Sequence, residues 1–222
     1  MNLKGVHFDR DIVLLCLRWY LAYPLSYRHI EEMMQERGVS VDHSTLNRWV
    51  LKFTPEFEKR FRKWKKPTGG SWRLDETYIL IKGKWRYLYR AVDKEGETID
   101  FLLRAHRDLT AARKFLEKAI RSSGKPEKIT IDKSGSNRAG IDFVDPFGLI
   151  QVRQVKYLNN IIEQDHRRIK RRVRPMMGFK SFRSAKITLA GIEILAMLKK
   201  SQSGCMPLFS RNPVDAFYQL TA

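Results

Sequence analysis

At Lys65-Lys66-Pro67-Thr68-Gly69-Gly70 the period of the sequence changes, and no other feature constrains the fold as strongly. Before this point apolar residues recur at helical spacing; after it β-branched and aromatic residues alternate as they do in strands. Residues 9 to 23 read as a helix that breaks at Pro24-Leu25-Ser26, where Ser26 is placed to cap a second helix running through Met34. Gly38 ends that helix, Val39-Ser40-Val41 turns the chain, and Asp42 or Ser44 caps a third through Thr45 to Val50, continued as a basic, aromatic helix over 55 to 66. The spacing predicts a helix-turn-helix. In that motif the second helix enters the major groove, which makes His43, Ser44, Thr45, Asn47 and Arg48 the candidate base-reading residues. The same helix-glycine-helix pattern also serves proteins that never touch DNA, and Leu46, Trp49 and Val50 are core on either reading.

Beyond the glycines the pattern gives strands over Trp72 to Ile81, Trp85 to Val92 and Thr98 to Leu103, a helix from Thr110 to Ser122, and a short strand from Lys128 to Ile131. A fifth strand follows at Ile150 to Val155, then a basic helix from Asn159 to Arg174 and a long amphipathic one from Ser184 to Lys200. The β-β-β-α-β order of this mixed α/β region is that of a ribonuclease-H-like fold. The predicted division is a helical DNA-binding domain over 1–66, a linker over 67–72, a catalytic domain over 73–200 and a C-terminal tail over 201–222.

Three carboxylates stand out against this layout. Asp75 lies in the first strand, Asp132 ends the fourth, and Glu163 opens the basic helix. Hard divalent cations prefer carboxylate oxygens, and two such ions can clamp the attacking and leaving oxygens of a phosphoryl transfer. Each residue also admits a structural reading: Asp75 as a polar-face residue, Asp132 as a helix cap, Glu163 as the partner of Arg167 one helical turn on. Glu76 is the nearest rival, but strand alternation sends it to the face opposite Asp75. Asp93, Asp108, Asp142, Asp145 and Asp165 read as caps and surface charges.

Residues 160 to 183 hold eight Lys/Arg against two Asp/Glu. Beside a metal site, such a run suits DNA phosphates, with His166 and Lys170 holding the DNA end and Arg167, Arg168, Arg171 and Arg172 adding salt-dependent affinity. The formal net charge of +19 points the same way, to a polyanionic partner. No stretch approaches the roughly 20 apolar residues of a spanning helix, and no signal-peptide pattern precedes the first helix, so a cytoplasmic, nucleoid-associated protein without membrane contact is expected. Cys16 and Cys205 lack metal-binding spacing and read as reduced thiols.

With these residues in hand, the chain resembles the DDE-class transposases of bacterial insertion sequences, specifically the IS-six family. The resemblance runs through Ser26-Tyr27-Arg28, Asp42-His43-Ser44-Thr45 with Arg48-Trp49, Asp75-Glu76-Thr77-Tyr78, Gly83-Lys84-Trp85, Tyr87 to Ala91, Tyr157 to His166, Gly178-Phe179-Lys180-Ser181 and Gly191-Ile192-Glu193. It implies a retroviral-integrase-type catalytic domain with Asp75, Asp132 and Glu163 as catalytic metal ligands and Lys170 as the accompanying base. It further implies Mg²⁺ dependence, recognition of terminal inverted repeats in double-stranded DNA, 3′-end cleavage and strand transfer into target DNA; two ions, replaceable by Mn²⁺, are expected at the carboxylates, and activity on paired element ends calls for a homodimer.

One departure stands out: 30 residues separate Asp132 from Glu163, a few fewer than the family pattern, and Gly140 to Gly148 lacks the helical pattern expected there. An inactive, shortened copy that binds element ends without catalysis is therefore the alternative. A ribonuclease-H-type nuclease is a further rival, for which the N-terminal domain would be superfluous.

Overall fold

The computed structural model describes residues 1, 3, 5–132, 135–204 and 212–222, in two compact units. The chain leaves the first unit after Lys66, builds the second from Pro67 to Lys170, and returns to the first at Arg171.

The second unit is built on a five-stranded sheet of order β3-β2-β1-β4-β5, formed by β1 (Ser71–Ile81), β2 (Lys84–Val92), β3 (Thr98–Arg104), β4 (Lys128–Thr130) and β5 (Gln151–Arg153). The first three strands are antiparallel, while β1–β4 and β4–β5 pair parallel. This is the ribonuclease-H-like topology anticipated from the element order. Lys82 and Gly83 both take positive φ, at 51° and 70°, as the two-residue hairpin between β1 and β2 requires.

Two helices, α4 (Leu109–Ser123) and α5 (Gly135–Val144), follow β3 and β4, and α6 (Asn160–Val173) follows β5. One sheet face, carrying Trp72, Leu74, Tyr89, Ala91 and Ile129, packs on Ala112, Phe115 and Leu116 of α4. Each such large side chain contributes about 1.5–3 kcal/mol by leaving water.

Helix α5 stands between β4 and β5 although Gly140 to Gly148 shows no clear helical pattern; the helix covers Gly140 to Val144 of that stretch and ends there. Its buried residues are Asn137, Gly140 and Ile141, so an amide and a glycine stand where an apolar stripe would have announced it. Gly140 is required by packing: a Cβ there would lie 2.8 Å from the Ala112 Cβ.

The first unit contains α1 (Arg10–Ala22), α2 (Tyr27–Gln35), α3 (His43–Trp64), α7 (Phe182–Lys199) and α8 (Pro213–Thr221). Ser26 caps α2 by accepting from the His29 N–H, and Asp42 caps α3 by accepting from the Ser44 and Thr45 N–H groups. Gly38, at φ 73°, makes the turn between them.

The division predicted from sequence is corrected here. Helix α7, assigned above to a 73–200 catalytic domain, packs with α1 and α3. It is buried on nearly every side, through Ala185, Leu189, Ile192, Ile194, Leu195 and Leu198, so it needs helices around it rather than one sheet face. A Cβ on Gly191 would sit 2.7 Å from Leu21 and 2.9 Å from Thr54, which fixes glycine at that crossing. The predicted tail carries α8, whose Phe217 meets Phe57 of α3 at 5.0 Å between ring centroids. The predicted linker also shrinks, because β1 begins at Ser71. Cys16 is a buried free thiol whose pKa is pushed up to about 12 by burial; Cys205 lies outside the described residues. Among the described residues no helix is long and apolar enough to cross a membrane.

Candidate active site

The parallel pairing of β1 with β4 stops at Arg73↔Thr130, so β1 runs on past the end of its neighbour with a free edge. Asp75 and Glu76 lie on that edge, and Asp132 follows just after β4. One carboxylate oxygen from each of Asp75, Glu76 and Asp132 falls within 4.8 Å of the others. The expectation that Glu76 turns away is thereby corrected. Alternation does send its Cβ to the other face, but with no strand alongside on the β4 side, carboxylates from both faces reach the same edge.

Arg107, between β3 and α4, holds two of these groups, with Nη2 3.2 Å from both Glu76 and Asp132. Sequence reasoning missed it, since nothing distinguishes Arg107 from the many other basic residues.

The opposite sheet face is read by α6. Asp75 and Arg90 are register partners on β1 and β2. Fully buried Arg90 pairs with Asp165 of α6, and His166 Nδ1 lies 3.6 Å from Asp75. Asp165 is thus a buried anchor, 5% exposed, rather than the surface charge expected. These contacts seat the helix whose first turn carries Glu163. Glu163 is exposed, outside the 4.8 Å cluster, yet its charge is felt at Asp75.

Burial, reinforced by the charges of Asp132 and Glu163, pushes the Asp75 carboxyl up to about 6. Burial likewise pushes Glu76 up to about 7 against the opposing pull of Arg107. Glu76 Oε1 is buried with no hydrogen-bond partner. Crowded, partly desolvated carboxylate oxygens with an orphaned acceptor form a donor set that fits a hard divalent cation such as Mg²⁺.

Among the predicted DNA contacts, Arg167, Arg168 and Arg171 are exposed, and Lys170 is half-buried with its charge acting on His166. Two of these assignments are corrected. His166 is 4% exposed, and burial, aided by Arg90 and Lys170, lowers its pKa to about 3. It is a neutral ring beside Asp75, not a cation offered to a phosphate. Arg172 is 8% exposed and donates to the Tyr20 carbonyl inside the helical unit. At the start of α3, His43, Ser44 and Arg48 are exposed and Thr45 and Asn47 partly so. His43 lies 3.0 Å from Glu31, and Arg48 donates to Thr45 at 2.6 Å.

The DDE_Tnp_IS240 family, described as a DDE domain, matches residues 69–202. The chain is 42% identical over 209 residues to a Staphylococcus aureus protein named as the transposase for insertion sequence-like element IS431mec, covering 93% of this chain and 92% of that one. It is 41% identical, over the same shares, to the Staphylococcus aureus transposase for insertion sequence element IS257 in transposon Tn4003. Among solved structures, the HTLV-2 integrase catalytic core domain in complex with magnesium (trimeric form) aligns at a TM-score of 0.48 and 14% identity, covering 68% of this chain and 98% of that one.

Proposed function

The chain belongs to the DDE transposases of bacterial insertion sequences, in the IS-six family, and on that premise we propose that it cuts the 3′ ends of its element and joins them to target DNA at the Asp75, Asp132 and Glu163 site. The observation that carries this reading is the convergence of carboxylates on the free edge of β1, with Glu163 set on a helix anchored to the same strand pair.

Asp75, Asp132 and Glu163 would hold two Mg²⁺ ions, replaceable by Mn²⁺, and when bound these supply Lewis-acid chemistry at the phosphodiester. The residues of the chain do the rest. Arg107 keeps the Asp132 carboxylate beside Glu76. The neutral His166 ring fills the space behind Asp75 without competing for its charge. Lys170, two turns beyond Glu163 on α6, is the accompanying base on this reading. Exposed Arg167, Arg168 and Arg171 meet the DNA backbone, and His43, Ser44, Thr45, Asn47 and Arg48 read the terminal inverted repeats of double-stranded DNA. Two element ends must be processed together, so the active species is a homodimer.

The presence of helix α5, packed on α4 through Gly140, supports the active enzyme over an inactive, shortened copy. The test is joining of a labelled, pre-cleaved inverted-repeat end to plasmid DNA with Mg²⁺. Products from the wild-type chain and none from Asp132→Asn are expected, whereas end binding without products from either would establish the inactive copy.

A further inference from the structure

We infer that the outer part of the β1–β2 hairpin is a stacking platform for unpaired bases of a DNA strand, beside the acidic cluster of the catalytic unit. Residues 77 to 89 include Lys82, Lys84 and Arg86 and no acid. The large apolar side chains they expose, Tyr78 at 50% and Trp85 at 61%, are both aromatic. Tyr78 pairs with Tyr87 and Leu80 with Trp85 across the antiparallel strands, and cross-strand partners share one face. The three rings accordingly gather there. Tyr78 meets Trp85 edge-on at 6.4 Å between centroids, and Tyr87 in a tilted pair at 5.4 Å.

This is the face that α4 covers farther along the strands, where Leu74 and Tyr89 enter the core. Past Glu76 and its register partner Tyr89, the rings of Tyr78 and Trp85 stand in water instead. An exposed cluster of rings marks a binding surface, and the charge around it says for what. Lys82 and Lys84 are exposed at the hairpin tip, and Arg104 is the register partner of Tyr87 on β3. Lysine is depleted at protein–protein interfaces, whereas aromatic rings among cations hold unpaired bases by their faces and the attached phosphates by charge.

Tyr78 follows Glu76 by two residues, about 7 Å along β1. A strand whose phosphate lies at the carboxylates therefore has its neighbouring bases within reach of the rings. That placement rests on the proposed function; the stacking itself does not. Bases within a duplex already stack on one another, so the platform selects strand ends that have opened.

The test is equilibrium binding of the full chain to a duplex paired to its end and to the same duplex ending in three mismatched base pairs, in EDTA so that no strand is cut. The wild type should prefer the opened end by about tenfold. Trp85→Ala, Trp85→Leu and Tyr78→Ala should reduce that preference to less than about threefold, while Trp85→Phe keeps most of it and all four bind the paired duplex as the wild type does. Irradiating the wild type on the opened duplex, with 5-iodouracil in place of a terminal thymine, should attach the base to Tyr78, Trp85 or Tyr87, a readout that needs no variant. Equal affinity of the wild type for the two ends, a preference that survives both Trp85→Ala and Tyr78→Ala, or attachment elsewhere in the chain overturns the platform. Lost self-association in these variants with the base preference unchanged also overturns it and assigns the rings to a second copy. End joining measured in parallel separates this inference from the proposed function: joining without the preference removes the platform alone, and the preference without joining removes only the catalytic reading and the placement that rests on it.

Discussion

At the scale of single residues, Asp75, Glu76 and Asp132 crowd the open edge of β1, with Arg107 bridging the last two. Asp75 and Asp132 could be picked out because an acid in or just after a β-branched run is costly unless it has a task. Glu76 joins the cluster because β4 ends at Thr130 and leaves that side of β1 open, so carboxylates from both faces of the strand reach Asp132 although β1 stays paired with β2. Arg107 carried no local signal, because its role depends on where β3 ends relative to β4. The raised carboxyls of Asp75 and Glu76, at about 6 and about 7, set a pH dependence. Their folded values lie above the unfolded values of roughly 4, so their stabilising contribution is complete below about pH 4 and is lost as pH rises through 6 to 7. Metal-free protein should therefore melt at a lower temperature at pH 8 than at pH 5, and Mg²⁺ should raise the melting temperature more at pH 8, where it does not compete with protons. Calorimetry at the two pH values checks this, and equal Mg²⁺ effects would count against these carboxylates as ligands.

At the scale of elements, strands and amphipathic helices declared themselves, and helices with unusual faces did not. Helix α5 hides because its buried face is Asn137, Gly140 and Ile141, a pattern shaped by close approach to α4 rather than by apolar burial. Gly140→Ala should accordingly destabilise the catalytic unit by about 1–3 kcal/mol, since the new methyl meets Ala112 and little nearby can yield. Denaturant unfolding measures it; a neutral or stabilising effect, as from relief of glycine's chain entropy, would show that the two helices separate easily. The α3 cap gives a second element-scale prediction. Asp42→Ala removes the acceptor for two backbone N–H groups and should cost about 1 kcal/mol, read in the same unfolding experiment.

For the whole molecule, the sequence conveyed the order of elements but not which of them share a core. Helix α7 follows the catalytic segments in the chain yet returns to the N-terminal helices, a pairing between residues more than a hundred positions apart that no local pattern encodes. Net charge, in contrast, was legible at once, and it predicts behaviour of the whole chain. With a charge of +19, binding to random duplex should fall by about three orders of magnitude between 50 and 200 mM salt. Arg48→Ala should erase the preference for the terminal repeat, while Arg167→Ala with Arg168→Ala should weaken all duplexes alike; competition binding distinguishes the two. The central claim is that Asp75, Asp132 and Glu163 act together as the catalytic carboxylates, and the most direct measurement is joining of a pre-cleaved end in Mg²⁺ by Asp75→Asn, Asp132→Asn, Glu163→Gln and Glu76→Gln variants that all still bind the end. The account predicts loss of product by about a thousandfold or more in the first three and retained joining in Glu76→Gln. Retained joining in Glu163→Gln alongside abolition in Glu76→Gln would contradict it and move the third carboxylate to the strand edge.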